Sequence, residues 1–195
     1  DKYDIYYQHI ILWDENDLEI VGSYRIGNAD FIFKNIGEKG FYSNTLFKYT
    51  EELNPYLKNS IELGRSFVQP KYWGTRALDY LWYGIGAYLK KNPNIKFMFG
   101  PVSMSTTFPS IAKDLMIFYY SHYFKEEKTL VIPKLSYQYS NNINEIKEQF
   151  LLNDKKKDFW LCPIRQSATK FENDKYTVNP PGVGSWMLKI NFLDN

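Results

Sequence analysis

The chain has 195 residues, with 24 Lys and Arg against 22 Asp and Glu, for a formal net charge of +2. That balance leaves no nucleic-acid footprint; no apolar run of about 18 residues marks a transmembrane helix, and no secretory signal is visible. A hydrophobic fraction of 44% supports a substantial core, and the single Cys162 excludes an intrachain disulfide and fits a reducing, cytoplasmic compartment.

Tyr6 to Trp13 reads as a strand, Asp14 to Asp17 as a polar turn, and Leu18 to Ile26 as the second strand of a hairpin. Gly27 to Tyr56 carries scattered Gly, Asn and Lys and reads as a long loop with one short helix around Asn44–Leu53. Ser60 to Val68 is a strand, and Arg76 to Lys90 a helix with apolar residues at Leu78, Leu81, Trp82, Ile85 and Leu89. Ile95 to Phe99 is a short strand, and Pro109 to Phe124 a helix with proline in its first turn. Thr129 to Ile132 is a short strand candidate and Asn144 to Leu152 a short helix; Phe159 to Ile164 and Ser185 to Phe192 are further strand candidates. The order predicts an α/β (α+β) fold: a mixed sheet with helices on its faces. Residues 1–135 would form the core and 136–195 an extension completing the sheet.

The richest stretch is Ile61 to Tyr88, a strand, a turn and a helix start. Backbone N–H groups of Trp73, Gly74, Thr75 and Arg76 and the positive helix end suit a phosphate-bearing ligand. Glu62 and Arg65 sit on the strand leading into that turn. The Glu62 carboxylate and the amides opening the helix are expected to look into one cleft. The alternatives are an ordinary strand-to-helix turn, and a Glu62 that only pairs with Arg65 or Arg25. The abundant aromatics either fill half-buried strand positions or line an apolar groove for an acyl chain. His9 and His122 are too few and too far apart to argue for a metal, and Cys162 reads as buried and inert.

Four pieces carry a family resemblance. Asp1-Lys2-Tyr3-Asp4 followed by His9-Ile10-Ile11-Leu12 resembles a D-x-Y-D segment entering a strand. Ile20-Val21-Gly22-Ser23-Tyr24-Arg25-Ile26 resembles a V-G-T-Y-R-L strand, and Glu62-Leu63-Gly64-Arg65-Ser66-Phe67-Val68 an E-x-G-R-x-x-V strand. Leu81-Trp82-Tyr83-Gly84-Ile85 and Phe99-Gly100-Pro101-Val102-Ser103 match the following helix and strand. In this order they resemble the GNAT-superfamily N-acyltransferases of the ornithine-lipid and hemolysin-like branch, and more distantly the acyl-homoserine-lactone synthases.

The resemblance implies a mostly antiparallel twisted sheet with a splayed parallel pair. It implies transfer of a fatty acyl group from an acyl carrier protein or coenzyme A thioester to the amine of an amino acid or amino lipid. No permanently bound cofactor is expected; acyl-phosphopantetheine or acyl-CoA would be the co-substrate. Glu62 would be the general base, with Arg65 beside it and Ser103 as a donor to the leaving thiolate; a tyrosine at 119, 120 or 123 is the alternative donor. Val68, Trp73, Gly74, Thr75, Arg76 and Val102 would hold the pantetheine arm and its phosphate; Asp1, Asp4 and Arg25 would bind the amine substrate, or order the sheet end as ion pairs. The family usually has a strand and helix before the D-x-Y-D segment, and this chain begins at that segment. The turn Trp73-Gly74-Thr75-Arg76-Ala77 stands where the superfamily reads R/Q-x-x-G-x-G/A, which favours a carrier-protein donor over free coenzyme A. Lys71, Arg76, Lys90 and Lys91 would suit an acidic carrier protein, and peripheral contact with the inner face of the membrane is a further expectation. A lactone-forming signal synthase and a catalytically silent carrier- or lipid-binding domain are the rival readings.

Overall fold

The computed structural model describes residues 1–123, 127–152 and 185–189. They fall into two units: residues 1–101 with 129–132 and the strand at 185–189 make the first, and the described residues of 102–128 and 133–184 the second.

The first unit is built on β1 (Gln8–Asp14), β2 (Glu19–Asn28), α1 (Ala29–Asn35), β3 (Phe47–Tyr49), α2 (Asn54–Leu57), β4 (Ser60–Val68), α3 (Ala77–Lys91) and β5 (Phe97–Pro101). β6 (Val131–Pro133) pairs with β3, and β7 (Ser185–Lys189) closes the five-stranded order β1-β2-β4-β5-β7. Every neighbouring pair of that sheet is antiparallel except β4 and β5. The expected mixed, mostly antiparallel sheet is therefore present.

Alternation along the strands sorts the core into two layers, because successive side chains point to opposite faces. Ile26 and Ile61 bury against Ile85 and Leu89 of α3, with Leu63 packed alongside. The other face carries Tyr3, Tyr7, Ile32, Phe41, Leu53, Leu57 and Phe99. Glu62 and Arg25 are buried on this second face, among its tyrosines.

The segment read as a long loop differs from expectation. It opens with α1, whose N-cap Asn28 accepts from the Phe31 amide and whose Asp30 and Lys34 pair one turn apart. Three 3-10 turns, β3 and α2 follow in place of a helix over Asn44–Leu53. Each piece is too short to show a periodic pattern in sequence.

The β4–β5 pairing runs only from Ser60↔Phe97 to Glu62↔Phe99. The ladder ends there, with Gly100 still against the Leu63 carbonyl, while β4 continues to Val68 against β2. Gly100 lies just past the last pair, where a Cβ would collide with the Leu63 carbonyl oxygen. Backbone cannot step aside as a flexible side chain can, so Gly100→Ala is expected to lower unfolding free energy by about 2–3 kcal/mol, read as a lower urea midpoint.

In the second unit, α4 (Ser110–Tyr123) and α5 (Ile143–Leu152) meet through Leu115 and Ile146, with Phe118, Tyr119 and Tyr139 against them. Asp114 is fully buried on α4. It accepts from the Tyr137 hydroxyl, the Ser140 and Asn141 amides and the Asn141 side chain, which ties the 137–141 segment to the helix. Burial pushes its carboxyl up, but these donors outweigh burial and hold it below the ordinary aspartate range. Cys162, Phe159–Ile164, the Lys155–Lys157 turn and the Asn179–Gly184 loop lie outside the described residues.

Candidate active site at the parting of two parallel strands

Glu62 sits at the last paired position of β4, where its ladder with β5 ends. Its side chain is 1% exposed. One oxygen, Oε1, accepts from the Ser43 amide at 2.7 Å; the other, Oε2, accepts from the Tyr42 amide at 3.1 Å and from the Tyr7 hydroxyl. Burial drives the Glu62 carboxyl up from its ordinary value, and the donors from Ser43, Tyr7 and Tyr42 pull part of the way back. Burial and the nearby Glu62 charge also push the Tyr7 and Tyr49 phenols up, so both stay protonated.

Two register positions along β2, Arg25 faces the same side. Its guanidinium is 1% exposed and holds both oxygens of Asp1 at 2.9 and 2.8 Å and Asp4 at 3.1 Å. The rings of Tyr3, Tyr7 and Tyr42 surround it at 5.4, 5.0 and 5.9 Å. His9 lies on the edge strand with Nε2 3.4 Å from Asp4.

Arg65 departs from a regular strand. Its φ is +48°, and between Ser23↔Phe67 and Arg25↔Gly64 β4 has one residue more than β2. That is a bulge, and it turns the Arg65 side chain into solvent, 66% exposed, with Nη1 3.5 Å from Asp1. Arg25 and Arg65 thus share Asp1, as the ion-pair reading expected, but only Arg65 is open to an incoming group.

The expectation of one cleft needs correction. Glu62 lies on the α1 face of the sheet, whereas α3 packs on the opposite face. The turn is also less open than four converging amides. The Trp73 amide donates to Pro70 and the Thr75 amide to Tyr72. The Trp73 indole donates to the Val68 carbonyl at 2.8 Å, and Thr75 Oγ1 accepts from the Ala77 amide at 3.2 Å. Gly74 takes φ +76°, a conformation that suits glycine, and Arg76 turns its guanidinium to Asp79 at 3.4 Å and Tyr83 at 3.0 Å. Lys71 is committed to Asp17 and Glu19 and is a weaker landing point for an acidic partner than the sequence suggested. Val102 and Ser103 follow β5 directly, exposed, in the second unit.

The sequence reading missed Tyr7 and the Tyr42–Ser43 amides. The signal for Tyr7 is register: Gly27 stands opposite Glu62, and a Cβ there would strike the Tyr7 ring. None of 17 tyrosines stands out by composition.

Residues 1–83 match the acetyltransferase (GNAT) domain family, so the resemblance read from the motifs is borne out there. The chain is 30% identical to a glycine N(alpha)-acyltransferase of Bacteroides thetaiotaomicron, over 96% of this chain and 57% of that protein. It is 29% identical to a glycine N(alpha)-acyltransferase of Phocaeicola vulgatus, over 96% of this chain and 59% of the relative. An L-ornithine N(alpha)-acyltransferase of Rhizobium meliloti is 39% identical over 51% of this chain and 34% of its own length. The chain therefore spans little more than half the length of the glycine relatives. It has no significant match among solved structures. Among the described residues, no helix is long and apolar enough to cross a membrane.

Proposed function

We propose that the protein is an N-acyltransferase moving a fatty acyl group from a thioester to the α-amine of an amino acid such as glycine or ornithine. The observation that carries this reading is the end of the β4–β5 ladder at Glu62↔Phe99, beside a buried carboxylate. An extended pantetheine arm satisfies its amides by hydrogen bonding to a strand edge, as an added strand would. The phosphate would rest at the Gly74 and Arg76 amides on one side, with the thioester carbon at the end of the ladder. Val68 would flank the arm.

In the reaction the ammonium first gives one proton to Glu62, the neutral nitrogen forms a bond to the thioester carbon, the C–S bond breaks, and the second proton lost by the nitrogen goes to the leaving thiolate. Because Glu62 is sealed by Tyr42 and Ser43, the first proton crosses through one bridging water or on displacement of the 42–43 segment. Backbone donors of β5 would hold the oxyanion. Arg65, exposed beside Asp1, would receive the acceptor's carboxylate. The single glycine of the turn and the spent Trp73 and Thr75 amides support a carrier-protein donor over free coenzyme A.

The test is mass spectrometry of products from the purified chain given hexadecanoyl-carrier protein or hexadecanoyl-CoA with glycine or ornithine. An N-acyl amino acid is expected, formed faster from the carrier protein. No product in any of the four combinations would leave the silent carrier-binding domain as the better reading. A lactone product would identify a signal synthase instead.

A further inference from the structure

We propose that Tyr7 is a positioning residue, its hydroxyl orienting Glu62 as proton acceptor and its ring joining Glu62 to the Arg25 ion cluster. The proposal rests on the reading of Glu62 as base.

The first observation is contact. The Tyr7 hydroxyl donates to Glu62 Oε2, the oxygen that also takes the Tyr42 amide, while lying 3.4 Å from the Gly40 carbonyl. The second is the face of the ring. Arg25 sits 5.0 Å from its centroid, and Tyr3 and Tyr6 brace it at 6.1 and 5.4 Å. The third is the space it occupies. β2 carries glycine at position 27, directly across from Glu62, and any side chain there would expel the ring. Sequence, register and packing thus converge on one phenol beside one carboxylate.

The donated O–H favours the ionised carboxylate, against a burial that favours the protonated acid. The other titratable groups coupled to Glu62 are Tyr6, from the segment before β1, and Tyr49 from β3, and Arg25 from β2 acts on Tyr6. Glu38 acts on Tyr49. The Tyr42 and Ser43 amides complete the surroundings. Of these, Tyr7 alone touches both Glu62 and the Arg25 cluster through its own side chain.

The experiment uses the full chain as wild type, as Tyr7→Phe and with 3-fluorotyrosine incorporated at position 7. The carbonyl stretch of the protonated Glu62 carboxyl, assigned by its absence in Glu62→Gln, is titrated by infrared spectroscopy. Phenylalanine keeps the ring on Arg25 but removes the donor, so the midpoint is expected to rise by about one pH unit. Fluorine makes the phenol a stronger donor without changing the fold, so the midpoint is expected to fall. A packing role alone would move neither midpoint, and equal midpoints in all three proteins would overturn the proposal. If Tyr7→Phe does not fold, the fluorinated protein decides by itself. An unmoved midpoint with an inactive Glu62→Gln removes the Tyr7 inference alone; a fully active Glu62→Gln removes the Glu62 reading and this inference with it.

Discussion

Glu62→Gln is expected to lower kcat/KM for N-acyl transfer by about 10²–10⁴-fold, the range that general base catalysis contributes, with KM for the thioester nearly unchanged. Glutamine keeps the size of the side chain and one acceptor oxygen but cannot take a proton. Because the proposed seat of the thioester is backbone beyond the last β4–β5 pair, losing the Glu62 charge is expected to leave it intact. The same substitution has a stability signature. Burial raises the folded value of Glu62 above the 4.5 of an ordinary glutamate. A raised group contributes stability that is fully present below 4.5 and is lost as pH rises through the folded value. Urea midpoints across that window should therefore fall with pH in wild type and stay flatter in Glu62→Gln. Wild-type turnover by Glu62→Gln at every pH would rule out the base assignment, whatever its stability profile.

Arg25→Ala is expected to lower unfolding free energy by about 3–4 kcal/mol, because removing one partner of a buried ion pair strands the other. Asp1 and Asp4, each about a third exposed, can partly rehydrate, which holds the loss toward the lower end of that class. The three tyrosine rings around the guanidinium also lose their cation. Arg25→Lys keeps the charge but not the rigid, planar guanidinium whose Nη1 reaches both oxygens of Asp1 and Asp4. The expected order of urea midpoints is wild type, then lysine, then alanine. An alanine variant within 1 kcal/mol of wild type would show that the cluster contributes nothing net to the fold.

What could be read from the sequence follows physical scale. Ser60–Val68 was legible to the residue because nine residues of mixed burial between polar boundaries leave a strand pattern. Leu81, Ile85 and Leu89 marked α3 through helical spacing. The motif residues Asp1, Asp4, Arg25, Glu62 and Arg65 proved to lie on or beside one face, which order along the chain could suggest but not establish. Three things stayed hidden. α1 has seven residues, under two turns, and depends on its Asn28 cap and on packing of Ile32 more than on periodicity. The bulge puts positive φ on Arg65 although Gly64 stands next to it, a placement that residue type does not signal. Burial of Glu62 beneath Tyr42 and Ser43 joins residues about twenty apart, across a segment that carries no pattern of its own.

The early end of the β4–β5 ladder has a consequence for handling the protein. Among the described residues, β4 from Gly64 onward meets β2 on one side and has no ladder partner on the other. Free edges of this kind template pairing with a second molecule. Concentrated, substrate-free preparations should therefore self-associate through this edge, and a thioester analogue seated there would act as a solubilising plug.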